Sequence, residues 1–500
     1  MNYSLLTLEI LATLLGLGIL LADLWLPSSA RKLLGYAAAT GMGILLTYAI
    51  GSGAPPDGTA FGGMFVVDAM SNYFKGFFLL SAMVVLLLTI DSSETLVGYA
   101  EYCALIVFAT VGMLFAASAN DLVLMFVALE LVTVTFYILV SFSRGKLASL
   151  EAGVKYLILG ALASGFMVFG IAFIFGSANT TNLYEIAAKQ GELAKSPVFL
   201  VGLLLTVVGL GFKIAAFPFQ MWAPDVYQGA PTTTTAFLAT GSKAAGFALL
   251  LRIAFGAVPE ITAHWSRLLL GLGIVTILYG SLCAIPQRSV KRLMGYSSIA
   301  NAGYLLLGVA SAGLLGGSAV LTYLGGYIFT VLTAFAVITV VAARTDSDDI
   351  SSFAALGQRS PLLATGLTVA MAGLAGIPPM AGFFGKFLLL KAVASHVATD
   401  KLFLVALLVA CVGVVISLYY YFGVVRAMFW PRNATDLTLI EVGSATKLAL
   451  AVCVIGVVYL GVFPDALLQG AKQAVAGLSV PASPAAPAPT APHAVHAAAK

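Results

Sequence analysis

Four ionisable side chains stand in the middle of apolar runs, where a charge is hard to keep. Glu130 is the only ionisable acid or base from Leu122 to Phe142. Lys213 has no charged neighbour between Lys195 and Asp225. Lys243 lies among small residues, Gly241, Ser242, Ala244, Ala245 and Gly246, which permit close packing and water. Lys386 lies seven residues beyond the pair Pro378-Pro379. A charge at mid-bilayer costs at least ~2.5–3.5 kcal/mol on insertion scales. It persists where it is paired, hydrated or used. The chemistry these types suit is proton transfer: in low dielectric an ammonium sheds its proton more readily and a carboxyl holds one more tightly. A Glu–Lys pair keeps both members charged, and separating them releases a proton. A row of lysines with water between them then forms a relay whose occupancy answers to neighbouring charge. The bland alternative is a hydrogen-bonded structural carboxyl for Glu130 and snorkelling lysines for the rest.

Other charges read less sharply. Lys155 follows Glu151 by four residues, the favourable order for a local helix-end pair. Lys75 follows Asp68 by seven on the same helix face, which predicts a structural pair near one interface. Lys391 falls near a span end and reads as a snorkelling lysine. Glu9 and Asp23 in the first span have no evident partner.

The elements that position these groups must be membrane helices. Of 500 residues, 60% are apolar and 9% charged, too few charges to cover a soluble surface. Apolar runs fall near 4–25, 32–51, 67–90, 102–119, 121–142, 153–176, 198–221, 233–256, 267–286, 295–313, 317–343, 361–394, 402–428 and 446–464, which predicts an all-α polytopic membrane protein with about fourteen transmembrane helices. Gly376-Ile377-Pro378-Pro379 should break the twelfth, and Pro218 with Pro224 the seventh. Freed carbonyls at each break can solvate the nearby lysine. Each broken run joins a lysine to a proline break, the sequence pointer to an inverted-repeat transport fold. The expected organisation is an N-terminal three-helix segment (1–100), two five-helix repeats (101–258 and 259–430) in which the broken helix is fourth, a last helix (431–478), and a disordered Pro/Ala-rich tail (479–500).

Lysines and arginines favour the odd-numbered loops, Arg432 among them, over the other side, where Arg252 is counted, which places both termini outside the cytoplasm. The N-terminus lacks a basic region and a small-residue cleavage site, so no removable signal peptide is expected. A net charge of +4 without basic blocks points away from nucleic acid. Cys103, Cys283, Cys411 and Cys453 sit in apolar runs without metal-site spacing, and His264, His396, His493 and His496 avoid mid-span positions. With no strand-then-GxGxxG unit, a redox cofactor is not expected in this chain.

Several stretches carry a resemblance over nearly the whole chain except the tail. They are Glu130 in the fifth span; Lys213-x4-Pro218 followed by Trp222-Ala223-Pro224-Asp225-Val226-Tyr227-Gln228-Gly229-Ala230-Pro231-Thr232; Ser242-Lys243; Arg292 to Tyr304 with its Ser297-Ser298-Ile299-Ala300-Asn301 core; and Gly376 to Phe387. Together they resemble the antiporter-like membrane subunits of respiratory complex I, NADH:quinone oxidoreductase, a family related to Mrp-type cation/proton antiporter subunits. Within it the chain is similar to the N-type branch, whereas L-type members carry a C-terminal lateral helix and M-type members tend to carry a glutamate where Lys386 stands. The resemblance implies that Glu130 pairs with Lys213 of the broken seventh helix, that Lys243 is the central relay lysine, that Lys386 is the lysine of the second broken helix, and that Lys155 matches a further lysine of the sixth. It implies a proton-translocating subunit in the cell inner membrane, beside sister antiporter-like subunits. NADH, FMN, iron–sulfur clusters and quinone would then be handled in partner subunits. Thr232 to Thr235 depart from the usual Thr-Pro start of the eighth span, which leaves its local geometry open. Two other readings compete: an Mrp-type cation/proton antiporter subunit, for which one carboxylate and three lysines supply few sodium ligands, and a membrane scaffold with incidental buried charges.

Overall fold

The computed structural model describes residues 3–27, 30–51, 58–91, 96–430 and 437–478. The tail at 479–500 and Arg432 lie outside these residues. Among them, thirteen helices are long and apolar enough to cross a membrane. The remaining apolar run is a broken helix, Pro361–Ala375 followed by Ala381–Ala394, and completes the expected fourteen. Helices are the natural outcome, since hydrocarbon offers no partner for an unpaired backbone group. Leu14, Val127, Leu162, Phe169, Leu408, Val415 and Ile455 point outward and supply the apolar belt such a solvent requires.

Several spans start at side-chain caps. Asp68 and Ser71 form a reciprocal capping box before the third span, Ala69–Ile90. Asp121 caps the fifth, Leu122–Val140, Ser196 with Pro197 opens the seventh, and Ser289 caps the tenth, Val290–Ala310. The eighth span, Thr232–Ala257, begins regularly behind Pro231. Its threonines are used: Tyr102 shares hydrogen bonds with the Thr233 and Thr234 hydroxyls, and Thr235 donates to the Tyr227 carbonyl.

Both expected breaks are present. The seventh span stops at Ile214, with Ala215 left-handed at φ 58°, and resumes as Trp222–Gly229. Pro224 makes no second break. It sits in the first turn of the resumed helix, where a missing N–H removes no intrahelical bond. The twelfth span stops at Ala375 before Gly376 at φ 84°, a conformation that favours glycine.

Spans 4 to 8 and 9 to 13 pack alike. Tyr99–Ser118 lies on Leu122–Val140 as Ser266–Ala284 lies on Val290–Ala310. The sixth span, Leu147–Ala178, embraces both halves of the seventh, and the eleventh, Gly313–Thr345, both halves of the twelfth. Five crossings per unit is an odd number, so the second unit starts from the opposite side of the membrane. Two elements were not expected from the sequence. A small antiparallel hairpin pairs Gly58–Ala60 with Phe65–Val67, and a twelve-residue helix, Asp465–Ala476, follows the last span and packs on the third and eleventh.

Candidate functional site

The three mid-span lysines are all buried: Lys213, Lys243 and Lys386 are 2, 3 and 4% exposed. Each ammonium is met by neutral oxygens, and none lies in an ion pair among the described residues.

Lys213 sits one residue before the end of the first half of span 7. It donates to the Thr133 hydroxyl at 2.9 Å and to the Tyr156 hydroxyl at 3.3 Å. The expected pair with Glu130 is not closed. Thr133, one turn beyond Glu130 on the same helix, reaches the ammonium, while the carboxylate accepts from Ser164 of span 6 at 2.5 Å. A small cavity beside the ammonium is lined by Thr133, Ser164 and Lys213. Nor do the freed carbonyls solvate this lysine: the Phe212 carbonyl is taken by the Trp222 indole N–H at 2.9 Å. The aromatic rings of Tyr156, Phe212 and Trp222 pack together and close the site.

Lys243 follows a π-helical turn, Leu238–Ser242, inside the eighth span. Such turns re-aim side chains within a helix and occur often at functional sites. Its ammonium donates to the Ser298 carbonyl at 2.6 Å and to the Ser298 hydroxyl. That hydroxyl also meets Tyr227 of the resumed seventh span at 3.0 Å and Tyr327 of the eleventh at 3.3 Å. Lys243 is therefore held where the two five-helix units meet.

Lys386 behaves as the break argument predicts. It donates to the Leu374 carbonyl, one of those freed by the interruption, at 2.6 Å, and lies 5.2 Å from the Tyr304 ring centre. Beside Lys243 a string of hydroxyl and amide groups runs across spans 10, 11 and 13. Tyr327 stacks on Tyr323, Tyr323 donates to Asn301 at 2.6 Å, Asn301 donates to Ser297 at 3.4 Å, and Ser297 shares a 2.5 Å bond with Tyr421.

Lys155 is not brought to this row. It is half-exposed and paired with Glu151, as the local reading had it, and also with Asp225, both at 2.7 Å. Asp225 in turn holds Arg292 at 2.6 Å, which ties spans 6, 7 and 10 together. Lys391 is exposed in the last turn of its helix, in keeping with a snorkelling lysine.

Three expectations are corrected. Lys75 does not pair with Asp68. It meets Glu9 of the first span at 2.7 Å, and this gives Glu9 the partner that the sequence could not name. Asp68 instead holds Arg252 through two bonds of 2.8 and 3.0 Å. Arg252 is thus no loop charge but a buried side chain, also bonded to the Ala117 carbonyl at 2.7 Å. Spacing along one helix places a charge on a face, but the helix packed against that face decides its partner. The hydroxyls that receive the lysines, Thr133, Tyr156 and Ser298, were also missed. One signal was available: the tenth span is polar for a helix that is almost wholly buried.

Fold and buried lysines together define an antiporter-like polytopic membrane subunit. The family model described as NADH:quinone oxidoreductase/Mrp antiporter, transmembrane, matches residues 119–417, and the chain belongs to that family. It is 39% identical over 481 residues to a protein of Moorella thermoacetica named NADH-quinone oxidoreductase subunit N, covering 96% of this chain and 100% of the relative. A subunit N of Heliobacterium modesticaldum is 40% identical over 482 residues, again covering 96 and 100%. Among solved structures, a chain of respiratory complex I from Thermus thermophilus with bound aureothin is 32% identical, covers 93% of this chain and 99% of its own length, and superposes with a TM-score of 0.76. A chain of the Mrp complex from a Dietzia species matches at TM-score 0.83 and 19% identity, covering 96 and 98%, a likeness of fold alone.

Proposed function

We propose that this chain is the N-type membrane subunit of an NADH:quinone oxidoreductase and translocates protons through Lys213, Lys243 and Lys386. One observation carries the reading. Three buried ammonium groups on three different spans are each solvated by neutral oxygens, and polar side chains of spans 10, 11 and 13 gather beside the second of them. A lysine held by hydroxyls and carbonyls can lose its proton without leaving a bound carboxylate uncompensated.

Glu130 acts at one end. The cavity that Ser164 and Lys213 line has room for the water that would join the carboxylate to the ammonium. Approach of Glu130 would hold the Lys213 proton, and retreat toward Ser164 would release it to the row. Lys155, in its network with Asp225 and Arg292, positions the resumed half of span 7. In this reading the chain is non-redox. NADH oxidation and quinone reduction, with FMN and iron–sulfur clusters, belong to partner subunits, and sister antiporter-like subunits are its neighbours. The lysine and arginine bias of the loops supports a multi-pass placement in the cell inner membrane with both termini periplasmic.

The test uses the assembled complex in proteoliposomes. Lys213→Ala and Glu130→Ala are each expected to assemble and to lower proton uptake per NADH oxidised, and the purified chain should show no visible chromophore. Unchanged uptake in both variants removes the proposal. The relation to Mrp antiporters supports one rival, cation exchange, and a sodium-dependent proton flux in the same vesicles would favour it.

A further inference from the structure

Outside both five-helix units lies a second buried carboxylate–lysine pair. Lys75 of the third span and Glu9 of the first approach to 2.7 Å, each 1% exposed. Among the described residues neither side chain has a well-aligned hydrogen bond, to its partner or to another group, and the ammonium lies 5.0 Å from the centre of the Phe65 ring. A buried ion pair is favourable only when further hydrogen bonds serve its spare protons and lone pairs. Here they are missing. Moving one proton from Lys75 Nζ to Glu9 Oε1 breaks an N–H bond, forms an O–H bond, and leaves an amine beside a carboxylic acid with no net charge on either. That form needs less solvation than two buried charges.

A second ion pair stands between this one and the end of the third span. Asp68, which opens the third span, stands seven residues before Lys75, two turns and about 10 Å along the same face. It holds Arg252, whose Nε has no partner among the described residues. Asp68, Asn120, Tyr184 and Arg252 line a cavity with about 10 Å³ of room for a water centre. The chain around Ser118 touches both pairs: Ala117 accepts from Arg252, and Ala119 bridges to Phe65, the ring over which Lys75 stands. The Ser118 hydroxyl is buried and has no hydrogen-bond partner among the described residues. Arg252, Asp68, Lys75 and Glu9 thus form a file of alternating charge that starts at the end of the third span.

We infer that Glu9 and Lys75 are a proton-exchanging pair of the N-terminal three-helix segment, loaded from the face that Asp68 and Arg252 guard. The third span could pass its state onward, because Ser81 shares a 2.7 Å hydrogen bond with Thr240 in the π-helical turn before Lys243. This rests on the reading of the chain as a proton-translocating subunit.

The experiment compares the assembled wild-type complex in proteoliposomes with Glu9→Gln, the apolar double variant Glu9→Leu/Lys75→Met, the exchanged pair Glu9→Lys/Lys75→Glu, and Lys213→Ala. The double variant removes both charges at once and is expected to assemble, yet to pump fewer protons per NADH oxidised, with the exchanged pair recovering part of the loss. Infrared difference spectra of the wild type during turnover should contain a carboxylic acid band that Glu9→Gln lacks. Wild-type pumping by the double variant, or no band difference between wild type and Glu9→Gln, overturns the inference even where Lys213→Ala pumps poorly. Should Lys213→Ala itself pump normally, it is the underlying reading that fails.

Discussion

Lys386 and Leu374 meet across the interruption of the twelfth span, the ammonium donating to the carbonyl at 2.6 Å. The break frees the carbonyl, and the lysine returns from the far half-helix to use it. Helix interruption and buried charge thereby solve each other's hydrogen-bonding problem at a depth where water is scarce. The seventh span uses a different solution. There the indole of Trp222 takes the Phe212 carbonyl and leaves Lys213 to hydroxyl partners.

Lys386→Met should therefore do two things at once. It leaves the Leu374 carbonyl buried without a donor, at a cost of about 1–3 kcal/mol, and it removes a titrating group. We expect a less heat-stable subunit within a complex that still assembles, and reduced proton uptake. Lys386→Arg keeps a donor and should restore most of the heat stability. Melting followed in detergent, with and without pumping assays, separates the two effects.

Ser298 is the common partner of Lys243, Tyr227 and Tyr327. Ser298→Ala keeps the backbone carbonyl that Lys243 uses but deletes the hydroxyl that links it to the tyrosines. Coupled turnover should fall, by up to about a hundredfold if the hydroxyl passes the proton itself, while subunit content stays normal. An unchanged rate would place the proton path elsewhere.

Asp68→Asn strands the Arg252 guanidinium in a buried place without its anion, a loss of about 3–5 kcal/mol. The pH dependence follows from the same contact. Burial works against the charge of Asp68, but Arg252 and the Ser71 bonds outweigh it and hold the carboxyl below its ordinary value of 3.8. A lowered native value means the stabilisation is full above that ordinary value and disappears as pH falls through the lower, native one. Acid unfolding of the wild type should steepen below about pH 4, and Asp68→Asn, already weakened, should lack that steep part. Stability measured against pH for the two proteins checks the sign.

The spans, the two breaks and the depth of Glu130, Lys213, Lys243 and Lys386 were legible in the sequence. So was the local pairing of Lys155 with Glu151. The cost of burying a charge or interrupting a helix in hydrocarbon is paid locally, so a short stretch of chain reveals it. The partners were not legible. Glu9 and Lys75 are 66 positions apart in the chain, Lys243 and Ser298 are 55 apart, and nothing in either stretch names the other. Partner choice depends on the rotation of each helix about its axis, and close packing of fourteen spans settles that rotation. The same packing opened the Glu130–Lys213 pair, since Ser164 and Thr133 each arrive on a helix face that only the assembled bundle fixes.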